Sequence, residues 1–141
     1  MGATAAAEYA GVIARLGVEK DMIVQQVGFD ADCDQEFSEA VAAAAGSAVL
    51  DEDTDEVVDL VLLWWREDDG DLTDGLVDAL SPLADNGVIV LLTPKPGREG
   101  HIGPSDIAEA AKTSGLQQTS AINATADWQG TRLVAPRSAR K

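Results

Sequence analysis

Two tryptophans and an arginine, Trp64-Trp65-Arg66, stand at the end of a long apolar segment, where their side chains could take part in binding. The segment 57–65 is rich in β-branched and aliphatic residues, which is typical of a strand buried on both faces of a parallel sheet. Ligands of such sheets bind where the strands end. Because neighbouring strand residues point to opposite faces, the two indoles must lie on opposite sides of the sheet. Each indole therefore either packs in the core or lines a pocket or partner surface, and Trp128 has the same two interpretations.

The next apolar run ends near residue 93. The polar segment that follows it contains Lys95, Arg98 and His101. Its glycines and prolines predict a loop over residues 93–104. The loop lacks the serial glycines and the Lys-Ser/Thr pair of a P-loop, so nucleotide triphosphate binding is not expected. It can clamp an anion, a small ligand or a partner protein, or it can be merely flexible. The predicted ligand or partner surface consists of Trp64, Trp65, Arg66, Lys95, Arg98, His101 and Trp128.

The titratable residues do not form a recognisable catalytic or metal centre. His101 is the only histidine, and no nucleophile motif accompanies it, so an ordinary loop histidine is favoured over a general base. The acidic run 30–34 resembles the start of an EF-hand loop, but Gln35 stands where glycine is required and Val41 where glutamate is required. Cys33 lies between two acids, which would raise its pKa and lower its reactivity. We predict no catalytic residue, no metal site and no cofactor.

Charge is unevenly distributed along the chain, whose net charge is −15. Residues 1–93 carry 3 basic and 21 acidic residues, or −18, whereas residues 94–141 carry 7 and 4, or +3. An acidic surface argues against nucleic-acid binding, and it serves either solubility or the docking of a basic protein partner. No apolar run approaches the roughly 20 residues of a membrane helix, so no membrane association is expected. A lone cysteine excludes an internal disulfide, and we expect a cytoplasmic protein.

The positions of apolar residues predict alternating helices and strands. The expected fold class is α/β, with a small, mostly parallel Rossmann-like sheet, helices on both faces and an antiparallel C-terminal edge. Residues 1–134 are expected to form a single domain, and residues 135–141 a basic flexible tail. Helices are predicted near 4–16, 35–45, 72–83 and 106–112, strands near 22–27, 57–65, 88–93, 117–123 and 131–134, an extended stretch at 48–50, a turn at 85–87, and N-caps at Asp71 or Thr73 and at Ser105.

From residue 57 onward the chain resembles the C-terminal half of a class I S-adenosylmethionine methyltransferase. Asp59-Leu60-Val61-Leu62-Leu63 is similar to the family's fourth strand, and Gly87-Val88-Ile89-Val90 to its fifth. Gly115-Leu116 and Arg132-Leu133-Val134 are similar to its closing antiparallel hairpin. The resemblance implies a cofactor site at the end of the first strand.

The N-terminal half departs from that family. The first strand should end in an acidic-x-Gly-x-Gly-x-Gly loop, where backbone N–H groups meet the ligand. Here the corresponding positions include Gly28, Asp30 and Asp32, with acids in place of the further glycines. Asp59 also lies only 32 positions after Val27, where the family places two more strands and helices. The core therefore resembles a truncated methyltransferase.

Over its whole length the chain is similar to a group of small acidic actinobacterial proteins known only as a domain of unknown function. The segments that carry this resemblance are distinctive, and it implies a cytoplasmic bacterial protein with no agreed activity. They are Arg15-Leu16-Gly17-Val18, Gln26-Val27-Gly28-Phe29-Asp30, the 56–66 segment that ends in Leu-Leu-Trp-Trp-Arg, Thr93-Pro94-Lys95-Pro96-Gly97-Arg98, the 104–111 segment, and Asp127-Trp128.

Two hypotheses follow for function. The first is a non-catalytic cytoplasmic adaptor or regulatory protein on a degenerate methyltransferase-like core, binding a protein partner, possibly basic, through its acidic face and the 94–104 loop. The alternative is a minimal S-adenosylmethionine-dependent methyltransferase or small-ligand-binding protein. That alternative would use Gly28, Asp30 and Asp32 for the cofactor, and a small molecule would bind at the strand ends.

Overall fold

The computed structural model describes residues 2–135, with side chains described for residues 9–84 and 87–135. Residues 136–141 of the predicted 135–141 tail lie outside this range. Within it, five strands form one sheet in the order β1-β2-β3-β5-β4. The helices are α1 (Gly2–Leu16), α2 (Gln35–Ala45), α3 (Leu72–Leu80) and α4 (Pro104–Thr113), the strands are β1 (Val24–Val27), β2 (Val58–Trp64), β3 (Leu83–Pro94), β4 (Gln117–Asn123) and β5 (Trp128–Val134), and a 3₁₀ turn spans Glu67–Asp69.

The sheet is parallel on one side and antiparallel on the other. β1, β2 and β3 run parallel, with Val27 level with Leu63. β5 pairs antiparallel with both β3 and β4. Beyond β1, Leu50 forms an isolated parallel bridge with Gln25, where the sequence predicts an extended stretch. The predicted α/β fold with an antiparallel C-terminal edge is confirmed.

Helices cover both faces of the sheet, which also confirms a prediction. One face, the α1/α2 face, packs Leu60, Leu62 and Trp64 of β2 against the first two helices. The opposite α3/α4 face packs Val61 and Leu63 against the last two. Two apolar layers therefore sandwich β2 and β3, which explains why these strands are nearly continuous in aliphatic residues.

Local details differ from the predictions for physical reasons. β3 begins at Leu83, and the predicted turn at 85–87 lies inside it as an irregularity: Val58 and Leu60 pair with Leu83 and Val88, five positions apart. α4 begins at Pro104 after Gly103, so Ser105 is not its N-cap, because proline without an N–H is well suited to the first helical position. Asp71, one of two predicted candidates, caps α3 by accepting from Thr73 N.

No helix among the described residues is long and apolar enough to cross a membrane.

Candidate functional site at the strand ends

The chain turns sharply where β1 ends, next to the end of β2. Gly28 has φ +81°, a conformation that favours glycine. A Cβ placed on Gly28 would also collide with the carbonyl oxygen of Trp64, so two constraints require glycine here. The loop after β1 is therefore held directly against the end of β2.

Arg66 lies across these strand ends and is held from several directions. Its Nη2 and Nε donate to the two carboxylate oxygens of Asp32, at 2.6 and 3.0 Å. Its Nη1 donates to the Gly28 carbonyl oxygen at 3.0 Å and to Asp69 Oδ2 at 3.1 Å. The Asp69 carboxylate also accepts from the backbone N–H of Arg66 at 2.9 Å. A bidentate pair with extra acceptors fixes the plane of the guanidinium as well as its position.

An aromatic cluster supports the arginine from below. The guanidinium carbon lies 5.2 Å from the ring centroid of Trp128, within the range of a cation–π interaction. Trp128 packs edge-to-face on Trp64 at 5.0 Å, and Trp64 packs on Phe29 at 5.8 Å. The Trp128 indole N–H donates to the Asp32 carbonyl oxygen at 3.1 Å, so the cluster and the β1 loop form one unit. We call Gly28, Asp32, Arg66, Asp69 and Trp128 the strand-end site.

The ion pair shifts the pKa of each partner. Hydrogen bonding from Arg66 lowers the pKa of Asp32 below 3.8, in spite of an opposing effect of desolvation. Hydrogen bonding to Asp32 raises the pKa of Arg66, so the guanidinium is charged at every accessible pH. Burial raises the pKa of the Cys33 thiol to about 11. The direction for Cys33 is the predicted one, but burial is the largest cause and the Asp32 charge a smaller one.

The 95–103 loop closes one side of the site. Glu67 N donates to the Gly100 carbonyl oxygen at 2.9 Å, which ties the loop to the turn after β2. Arg98 forms an exposed ion pair with Asp127 at 3.2 Å. His101 Nδ1 lies 2.8 Å from the Pro94 carbonyl oxygen, which can only accept, so Nδ1 carries the proton and the ring braces the loop.

The predicted surface residues occupy several places rather than one. Arg66 and Arg98 border a cavity of about 490 Å³ at the strand ends, together with Asp30 and Asp32. Trp64 and Trp128 are buried beneath it, so for them core packing is the observed arrangement. Trp65 lies on the opposite, α3/α4 face. Lys95 and His101 are half-buried at the base of the loop and do not border this cavity.

The sequence did not predict Asp69 or Phe29 as residues of the candidate site. The position of Asp69, three residues after Arg66, is compatible with an ion pair. An acidic turn, however, normally indicates a solvated surface. Among the described residues no group of three or more His, Cys, Asp and Glu side chains is arranged to hold a metal ion.

The site does not fit the cofactor that the fold suggests. Several N–H groups of the loop after β1 already have internal acceptors: Gly28 N donates to Glu52 Oε1 at 3.0 Å and Asp30 N to Cys33 Sγ at 3.3 Å. The carbonyl oxygen of Gly28 accepts from Arg66. S-adenosylmethionine would have to displace the guanidinium and break these bonds in order to lie at the end of β1.

The architecture is Rossmann-like and similar to that of solved methyltransferase structures. A SAM-dependent methyltransferase from Aquifex aeolicus gives a TM-score of 0.60 at 11% identity, with 90% of this chain and 89% of that chain covered. A methyltransferase from Pyrococcus furiosus gives 0.54 at 9% identity, over 89% and 80%. Magnesium protoporphyrin IX methyltransferase from Synechocystis, solved with bound SAM, gives 0.51 at 15% identity, over 96% and 79%. At these identities the similarity shows the fold alone.

Sequence similarity then defines the family. Residues 13–137 match the family described as "Protein of unknown function (DUF3052)", and the chain belongs to it. An uncharacterized protein of Mycobacterium tuberculosis H37Rv, Rv2239c, is 52% identical over 134 residues, or 94% of this chain and 84% of the relative. An uncharacterized protein of Mycobacterium bovis, Mb2263c, gives the same values. The resemblance to a family of unknown function and to methyltransferases is thus confirmed.

Proposed function

We propose that the protein is a non-catalytic cytoplasmic adaptor or regulatory protein that binds another protein with its strand-end surface. This surface consists of the strand-end site and the exposed residues beside it, Phe29, Asp30, Asp68 and Glu99. The observation that carries the proposal is the position of Arg66, whose guanidinium fills the end of β1 and β2 and is held by Asp32, Asp69 and Gly28. In an open α/β sheet this is the place where a ligand binds. Here a side chain of the chain itself supplies the contacts.

Surface composition supports a basic protein as the partner. Phe29 is 38% exposed and packs on Trp64 of the aromatic cluster, so it offers an apolar contact. Exposed acids border the strand-end cavity, among them Asp30, Asp68 and Glu99, whereas the two arginines there are already paired with carboxylates. Apolar contacts together with a polar, charged periphery are usual in a protein interface.

Calorimetric titration with S-adenosylmethionine tests the non-catalytic half of the proposal. We expect no binding tighter than about 100 μM for the natural chain, because binding would require displacement of Arg66. Arg66→Ala serves as the matched variant: if the arginine is what excludes the cofactor, any measurable affinity should appear only there. Tight binding to the natural chain, abolished by Asp32→Ala, would favour the alternative of a minimal methyltransferase.

Quantitative pull-down tests whether the strand-end surface binds a protein partner. Asp68→Asn with Glu99→Gln removes two exposed charges from the strand-end surface, and Glu19→Gln with Glu109→Gln removes two elsewhere. We expect a partner captured by the natural chain to be lost with the first pair and retained with the second. Equal capture by both pairs would contradict the strand-end surface as the binding site.

A further inference from the structure

A second concave site lies on the α3/α4 face, away from the strand-end site. It is a cavity of about 440 Å³, which we call the α3 cavity. Its apolar floor consists of Val27, Leu63 and Trp65, and Ala79 of α3 forms part of its wall. The volume lies in the range of small-molecule pockets, which are apolar concavities with a few polar groups.

The cavity exists because the fold is short at this edge. Of the described residues, only the segment between α2 and β2 lies beyond β1, and it contributes one bridging residue, Leu50, to the sheet. Buried Gln25 holds that segment in place, since its Nε2 donates to the carbonyl oxygens of Asp51 and Thr54 at 3.1 and 3.2 Å. The segment therefore forms a fixed rim without covering the β1 side of this face.

Charge on the rim is of one sign. Asp55, Glu56 and Asp78 border the cavity and are exposed, and no described residue donates a hydrogen bond to their carboxylates. Glu52 adds a fourth carboxylate, which accepts from Gly28 N. Of the described residues that line the cavity, none is basic. Carboxylates around a low-dielectric concavity concentrate negative potential inside it, which favours a cation.

Trp65 adds an aromatic surface to the floor of the cavity. Its ring is packed tightly on α3, where a Cβ on Gly75 would lie 2.8 Å from its Cη2 and Cζ3 atoms. The indole nitrogen itself is buried and has no hydrogen-bond partner in the described part of the chain. An unpaired buried N–H is unusual and unfavourable, so this part of the core is not fully satisfied.

We propose that the α3 cavity binds a small organic cation that combines an ammonium group with an apolar, aromatic body. The ammonium group pairs with the carboxylates of Glu56 and Asp78, and the apolar body lies on Val27, Leu63 and the Trp65 ring. This site is separate from the strand-end site, and it stands whether or not a protein binds there.

Two-dimensional ¹H–¹⁵N NMR with three matched probes tests the proposal. Phenylalaninol is a cation, N-acetylphenylalaninol its neutral counterpart and 3-phenyllactate an anion; each carries a phenyl ring and a hydroxyl. We expect saturable shifts of the Trp65 indole signal and the Gly75 and Ala79 amide signals with phenylalaninol. Affinity should be about tenfold lower for the neutral probe, and the anion should produce no shift. Equal affinities for cation and neutral probe, or no shift at these three signals, would overturn the proposal.

Substitutions of the rim carboxylates test whether the preference for a cation arises in the α3 cavity. Glu56→Gln with Asp78→Asn should lower the affinity for phenylalaninol about tenfold, because both carboxylates border the cavity. Glu19→Gln with Glu109→Gln changes the net charge equally and should leave the affinity within about twofold. Similar losses in both pairs would mean that only the overall charge of −15 attracts the cation, and would refute a site in the α3 cavity. Raising the salt concentration to about 0.5 M provides a test on the natural chain, which should lose affinity about as the first pair does.

Discussion

Trp64 and Trp65 are neighbours in the chain but lie in surroundings that differ in completeness. Trp64 is fully buried on the α1/α2 face, and its indole N–H donates to Gln26 Oε1 at 3.0 Å. Trp65, on the α3/α4 face, is partly exposed at the α3 cavity, and its N–H has no described partner. The end of β2 is therefore fully buried and hydrogen-bonded on the α1/α2 face, whereas on the α3/α4 face it is partly exposed.

The difference shows that two regions of the sheet are filled to different degrees. On the strand-end side, Arg66 and Trp128 fill the ends of β1 and β2 with internal contacts. On the α3/α4 face nothing in the described part of the chain covers the β1 edge in the same way. Under the proposed function, internal contacts occupy the strand ends, and the concavity open to a small molecule lies at Trp65.

Truncation of each indole should produce the largest contrast. Trp64→Ala should lower the free energy of unfolding by about 3–5 kcal/mol, since it leaves a large cavity among Phe37, Phe29 and Trp128. Trp65→Ala should cost about 1–3 kcal/mol, because part of this side chain is already in contact with solvent. Urea denaturation followed by circular dichroism measures both. Equal losses would show that the two faces are packed to the same degree.

Removal of the strand-end arginine should have the next largest effect. Arg66→Met keeps much of the apolar stem but loses the charge-assisted bonds to Asp32 and Asp69 and the bond to the Gly28 carbonyl oxygen. We expect a loss of about 2–3 kcal/mol, discounted for the half-exposed Asp32 carboxylate. If Arg66→Met melts within about 2 °C of the natural chain, the arginine is not a structural replacement for a ligand.

Acid titration separates this ion pair from the rest of the fold. The pKa of Asp32 is lowered in the folded state, so its stabilising effect is present above the unfolded value near 3.8 and is lost as the pH falls through the lower, folded value. Asp32→Asn should therefore be less stable than the natural chain at pH 7, and the difference should shrink between pH 4 and pH 2. A difference that does not change with pH would assign the effect of the substitution to packing.

Glycine substitutions on helices test the tightness of the Trp65 side with a smaller effect. Gly75→Ala should cost about 1–2 kcal/mol, because its Cβ would lie 2.8 Å from the Trp65 ring and the indole must shift. Gly11→Ala in α1 is the matched control: apart from the backbone of its own helix, no atom of the described side chains lies within 4 Å of its Cβ, and alanine has the better helix propensity. It should be neutral or stabilising by up to about 1 kcal/mol. Stabilisation by both changes would mean that Trp65 packs loosely on α3.

The sequence was sufficient to predict features that depend on local periodicity. Strand residues alternate between faces, so the placement of Trp64 and Trp65 on opposite sides follows from their adjacency. The sequence was not sufficient to predict the ion pair of Arg66. Its main partner, Asp32, is 34 positions away and comes close only because β1 and β2 pair with Val27 beside Leu63. The α3 cavity depends on which surface is left uncovered, and the only hint was the short distance between Val27 and Asp59.

Replacement of each indole by phenyl gives the sharpest comparison, and Trp65→Phe should have the smallest effect. Trp64→Phe leaves the side-chain amide oxygen of Gln26 without its donor, so a cost of about 1–2 kcal/mol is expected in addition to the loss of volume. Trp65→Phe removes a buried donor that has no acceptor among the described residues, so relief of that penalty offsets the lost contacts and the net change should lie within about 1 kcal/mol of zero. Gln26→Met in the Trp64→Phe background should recover most of the hydrogen-bond contribution. If Trp65→Phe instead costs as much as Trp64→Phe, the Trp65 N–H is satisfied in solution and the two indoles do not differ in hydrogen bonding.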